Sequence, residues 1–183
     1  MLGDASGAPT LIAKVGEAES FGEGWKFTGM GQYGASVGFV DSLVIALGRT
    51  RDRRALKPIL EKVKLLDASK AFSHHRAVAL ALEALGDPAA AEPLAELLAK
   101  PGMSDHAITT MEEARRWSGR GRNDTSSRNV SLRELVLARA LWRCGDHRGL
   151  GEKILKCYEK DLRGHYARHA HAVLEGGIEE QKR

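Results

Sequence analysis

The sequence predicts an all-α protein built as a stack of short antiparallel helical hairpins. Three observations carry that prediction. In RAVALALEALGDPAAAEPLAELL, residues 76–98, apolar residues recur at helical spacing on both sides of a Gly-Asp-Pro break. The aspartate of that break has counterparts at Asp4, Asp52 and Asp146, each at the head of another amphipathic segment. Aromatic residues make up only 5% of a chain rich in alanine, which favours closely packed helices over a sandwich or barrel.

Taken in order, LGDASGAPTLIAKV (residues 2–15) is the first segment entered through an Asp turn, and LGRTRDRRALKPILEKV (residues 47–63) is the second. Asp87 caps the third, where Pro88 sits in the first helical turn and its missing donor costs nothing. RCGDHRGLGEKILKC (residues 143–157) is the fourth. Counting from each Asp, position +3 is Gly7, Ala55, Ala90 and Gly149, small enough for close approach to the preceding helix. Position +8 is Ile12, Leu60, Ala95 and Ile154, and position +11 is Val15, Val63, Leu98 and Cys157, which together predict a buried seam. Apolar runs at Val40–Leu47, Val78–Leu85 and Leu132–Leu141 supply the preceding helices, the last introduced by a capping box of Ser131 and Glu134. Only the 35-residue interval from Asp52 to Asp87 has bare repeat length, so the other intervals hold insertions. About nine helices are expected, a superhelix in which each hairpin is buried by its neighbours.

This pattern resembles HEAT-like repeats, in particular the short alanine-rich variety named after the phycobilisome lyases, with residues 76–98 the strongest unit. The repeat marks a fold and not a function, and neither Cys144 nor Cys157 identifies a bilin attachment site. A second resemblance runs through EGWKFTGMGQYG, DSLVIALGRTRDRRALKPIL, FSHHRAVALALEALGD, ARALWRCGDHRGLGEKIL and DLRGHYARHAHAVL. Together these are similar to a helical region at the C-terminal end of certain bacterial FAD-dependent oxidoreductases. That resemblance implies a parent whose flavin-binding half precedes this region, with no cofactor held by the chain itself. Met1 enters directly at a repeat turn, the start expected of an excised domain. Residues 1–176 are assigned to the repeat domain, with a glycine- and aromatic-rich insertion at 16–38, an Arg/Ser-rich loop at 117–130 and a tail at 177–183.

Several residues invite a chemical reading. Gly29, Gly31 and Gly34 spell Gly-x-Gly-x-x-Gly, with Asp52 further on, as in a dinucleotide-binding turn. The preceding WKFT is too short and polar for a central strand and Asp52 belongs to a repeat turn, so an ordered loop pinned by Trp25, Phe27 and Tyr33 is the better reading. His165 and His169, at i,i+4, share a helix face that suits a metal, yet no Cys or carboxylate completes a ligand set. Tyr166, His169, Ala170 and Val173 trace the apolar side of that helix, which makes His169 a packed residue. His74 and His75 are adjacent and point apart.

Arg115, Arg116, Arg120, Arg122 and Arg128, with Trp117 to stack on a base, give an alternative nucleic-acid surface, diluted by Glu112 and Glu113. Arg133, Arg139 and Arg143 either bridge neighbouring turns or face a partner's carboxylates. The formal net charge of +4 permits an acidic partner without requiring one. Two isolated cysteines argue against a disulfide framework and for a reducing cytoplasm, and no apolar run reaches membrane-spanning length. The function predicted is a non-catalytic structural or protein-interaction module bound to another domain in cis. Its expected surface comprises Trp25, Phe27, Tyr33, Arg116, Trp117, Arg120 and Arg122. A flavin-dependent oxidoreductase region, contributing to an active site built mainly upstream, is the remaining alternative.

Overall fold

The computed structural model describes residues 6–22, 38–118 and 126–180. Their regular structure is helical: α1 (Ala8–Glu17), α2 (Phe39–Arg49), α3 (Leu56–Lys64), α4 (Phe72–Leu85), α5 (Ala91–Leu98), α6 (Met111–Ser118), α7 (Ser126–Arg143), α8 (Leu150–Tyr158) and α9 (Gly164–Glu180). Short 3₁₀ turns, Arg53–Ala55 and Pro88–Ala90, lead into α3 and α5. The helices form antiparallel hairpin-like pairings, such as α2 with α3 and α7 with α8, while α3 also packs on α4 and α5 lies chiefly against α7. One layer runs α2, α4, α7, α9 and the other runs α1, α3, α5, with α8 packed between α7 and α9. This is the HEAT-like solenoid that the repeated turns predict.

The capping aspartates act as expected. Asp52 Oδ1 accepts the Arg54 amide at 2.9 Å and Asp87 Oδ1 accepts the Ala89 amide at 3.0 Å. Asp146 accepts the amides of Gly151 at 2.8 Å and Glu152 at 3.0 Å, satisfying orphan donors at the head of α8. Asp4 lies outside the described residues. Helix α4 is the centre of the stack, because α2 and α7 cover two sides of it and Ala77, Val78, Ala79, Ala81 and Leu82 are all buried. Alanine on opposite faces lets both neighbours come close. The tightest approach is at Gly48, where a Cβ would stand 2.3 Å from Ala81 Cα.

Four expectations are corrected. Cys157 is exposed and not on the seam. The buried face of α8 runs through Gly151, Ile154, Leu155 and Tyr158, which leaves Cys157 on the outer side of the helix. Ser131 and Glu134 do not open a helix, since α7 begins five residues earlier at Ser126. The capping box sits instead at the head of α6, where Thr110 Oγ1 accepts the Glu113 amide at 3.2 Å and Glu113 Oε2 accepts the Thr110 amide at 3.0 Å. The segment expected as loop at 117–130 is helical at both ends, with Trp117 in α6 and residues 126–130 in α7. Helix α9 continues past Gly176 and Gly177 to Glu180.

Candidate interaction surface

Helices α3 and α5, neighbours in the second layer, leave a groove of about 460 Å³ between them. Its floor is Leu56, Leu60 and Val63 from one helix with Pro93 and Leu97 from the other, and Lys57, Lys64, Lys100, Glu61 and Glu96 form the rim. The seam pattern places Leu60 in the core; the structure leaves it half-buried and facing this groove. The sequence signal for the groove is an apolar residue one turn outside each seam. It is weak, because the two walls are set by segments a full repeat apart.

Many polar side chains named from the sequence are engaged inside the stack. Arg133 on α7 is buried and donates to the carbonyls of Ala68 and Gly102, both at 2.8 Å, tying the α3–α4 and α5–α6 connections to the central layer. Arg139 donates through Nη2 to Glu83 Oε2 at 3.1 Å, Arg143 lies 3.6 Å from the same carboxylate, and His169 Nε2 is 3.4 Å from Arg139. Burial, with the charges of Arg139 and Arg143, holds the His169 pKa below its ordinary value. These arginines bridge neighbouring helices, as one of their two readings expects.

Next to this lies a network that sequence reasoning missed. The irregular stretch 103–110 is held by Glu134, which accepts the amides of Asp105 at 2.9 Å and His106 at 2.8 Å, and by Ser131 Oγ, which donates to the His106 carbonyl at 3.0 Å. Asp161 accepts the Ile108 amide at 2.9 Å, and Arg163 bonds Asp161, Ser131 and the His106 carbonyl. Burial pushes Glu134 above the usual carboxylate range, even against the two amides and the Tyr158 hydroxyl that favour its ionised form. For Asp161 burial acts upward too, but the bonds from Arg163 and Ile108 win and its pKa is lowered.

The histidines separate as their adjacency requires. His74 Nδ1 lies 2.7 Å from Asp41 Oδ1, with both side chains buried and the Phe21 ring stacked on the imidazole at 4.6 Å. A small cavity of about 170 Å³ adjoins this pair, bounded by Glu19, Phe21, Leu65 and Lys70. His75 sets its two ring nitrogens 3.0 Å from the carbonyls of Ala71 and Asp67. Burial, opposed by the bonds to the two carbonyls and helped by the nearby Arg133 charge, lowers its pKa to about 4. Asp41 escaped the sequence reading because its partner is 33 residues away; an acid in the first turn of an apolar helix was the available signal.

His165 packs against Tyr166, with ring centroids 4.0 Å apart. Among the described residues no three His, Cys, Asp or Glu side chains are grouped to hold a metal, and no helix is long and apolar enough to cross a membrane. Cys144 is buried and its thiol is pushed up to about 12, chiefly by burial. Asp52, the acid that would complete a dinucleotide site, is taken up by its own turn and by Arg54. Trp25, Phe27, Gly29, Gly31, Tyr33, Gly34, Arg120 and Arg122 lie outside the described residues. Arg116 is exposed on α6, 3.9 Å from Glu112, with Trp117 half-buried on the same helix, while Arg128 belongs to α7. The predicted arginine patch is thus divided between two helices.

Compared with known families, residues 75–100 match the model of the PBS lyase HEAT-like repeat, and they take in most of α4 and all of α5. No curated protein and no solved structure gives a significant match.

Proposed function

We propose that this chain is a protein-interaction module that holds a partner domain against its second helical layer. The observation that carries the reading is the α3–α5 groove, an apolar floor inside a rim of mixed charge. A desolvated apolar centre with a polar border is the anatomy of protein interfaces. A HEAT-like stack offers such a surface on a rigid scaffold without supplying a reactive group. The partner proposed is a flavin-binding catalytic domain in cis, a choice that rests on the family resemblance of the sequence segments. In that arrangement residues 16–38, with Trp25, Phe27 and Tyr33, and the α6 side chains Arg116 and Trp117 extend the contact, joined by Arg120 and Arg122.

Cross-linking mass spectrometry on the full-length gene product tests this reading. Links from Lys57, Lys64 or Lys100 to a second domain are expected, and a Leu60→Glu variant should lose them. Efficient links within the repeats with none to another domain would count against it. Flavin titration separates the finer claim: FAD should stay with the upstream domain, and saturable one-to-one binding by the present chain alone would overturn it.

A further inference from the structure

One run of nine residues carries a local net charge of +4. Residues 49–57, RTRDRRALK, carry five basic side chains and one acid. They form the end of α2, the turn that follows and the head of α3, and Arg49, Arg51, Arg53, Arg54 and Lys57 are all exposed. The single acid is committed: Asp52 caps the Arg54 amide and its carboxylate lies 2.6 Å from Arg54 Nη2. Among the described residues nothing engages the guanidinium groups of Arg49, Arg51 or Arg53 in a hydrogen bond or ion pair.

The backbone adds a second observation. Arg51 has φ +56, while the residues before the capping aspartates of the next two units are Gly86 at φ +60 and Gly145 at φ +96. A Cβ is disfavoured in this region, so an arginine stands where the backbone alone would select glycine. The three turns also share an edge. Helices α2, α4 and α7 lie side by side with their C-terminal ends together: Gly48 meets Ala81, Cys144 Sγ is 3.6 Å from the Leu82 carbonyl, and Gly145 faces Pro88. On the last of these turns Arg148 is exposed, again at positive φ.

We propose that this edge, centred on the α2–α3 turn, binds the phosphate backbone of duplex nucleic acid without reading its sequence. The guanidinium fork matches the oxygens of a phosphate, and arginine is the residue suited to it. The surroundings select the partner. Phe39, Leu65, Met111 and Leu162, the large exposed apolar side chains, all lie outside the basic turns. A protein interface needs an apolar or aromatic centre, and a single strand needs an aromatic platform for its bases. A turn whose one acid is already engaged by Arg54, leaving arginines to face solvent, suits the phosphates of a duplex. This surface meets the groove at Leu56 and Lys57, its four arginines lie outside the groove, and it stands independently of the partner-domain reading.

The test is fluorescence anisotropy of the full chain with a mixed-sequence DNA duplex of about 20 base pairs, across about 50 to 200 mM salt. Wild type is compared with Arg49→Ala/Arg51→Gly/Arg53→Ala, and thermal melting confirms that the variant is folded. Saturable binding is expected in wild type, insensitive to duplex sequence, and weakened about 10-fold or more in the variant, with a salt slope shallower by about 2 to 3. An Arg115→Ala/Arg116→Ala variant should bind as wild type does. No saturable binding at the lowest salt, equal binding by the folded triple variant, or displacement of the duplex by polyglutamate at equal charge would overturn the proposal, the last in favour of an acidic protein.

Discussion

Tyr158 Oη stands 2.8 Å from Glu134 Oε2, deep between α8 and α7, and this bond joins the hairpin of the last unit to the segment it covers. The same carboxylate accepts the amides of Asp105 and His106, so one side chain serves α8 and the irregular stretch together. Tyr158→Phe removes one donor to a buried carboxyl group and should cost about 1–3 kcal/mol in urea unfolding. Glu134→Leu strands two amides and a hydroxyl and should cost more, by about 2 kcal/mol or more. Equal stability of both variants and wild type would remove the network from the fold's support.

Gly48 makes a sharper prediction. A methyl group there would meet Ala81 Cα at 2.3 Å, on the backbone of a buried helix that has no room to retreat. Gly48→Ala should therefore destabilise by about 1–3 kcal/mol, the range for overpacking a core. Gly16, also helical, has nothing within 4 Å of its would-be Cβ. Gly16→Ala should stabilise by about 0.5–1 kcal/mol through helix propensity. Thermal melts of the two variants should move in opposite directions.

The turns were legible because capping is local: Asp52, Asp87 and Asp146 bond amides within six residues. Failures begin where a contact crosses the chain. Ser131 and Glu134 have the spacing of a capping box, yet they bond the stretch around residues 105 and 106, about a repeat away. Cys157 was put on the seam by counting from Asp146, but which side of α8 is buried is set by its packing against α7 and α9, and that side ends at Tyr158. The α3–α5 groove and the Asp41–His74 pair each need two helices placed side by side, which no local pattern specifies.

His75 supplies a pH dependence. Its pKa falls from 6.5 to about 4 in the fold, mainly through burial, so the folded chain keeps it neutral while the unfolded chain takes up a proton. Stability from this group is complete above pH 6.5 and is lost as pH falls toward 4, by about 3 kcal/mol in all. His75→Asn should be less stable at pH 7 and should show a flatter stability curve between those two pH values. Parallel curves for wild type and variant, followed by denaturant unfolding, would show that the imidazole titrates as freely in the fold as outside it.

Arg51 and Gly86 occupy matching places before Asp52 and Asp87, with φ angles of +56 and +60. The arginine pays for its position in backbone strain, and the glycine does not. Arg51→Gly should relieve that strain, partly offset by the greater freedom of glycine in the unfolded chain, and stabilise by about 0.5–1 kcal/mol. Gly86→Ala introduces the strain and should destabilise by about 1 kcal/mol, since nothing else lies within 4 Å of the added methyl. Calorimetry of the two variants gives the signs directly. A stabilised Arg51→Gly protein that also binds duplex DNA less well would show that the turn is strained for the sake of its charge. A destabilised one would mean that the Arg51 side chain supports the fold, and the case for a surface arginine held against backbone preference would fail.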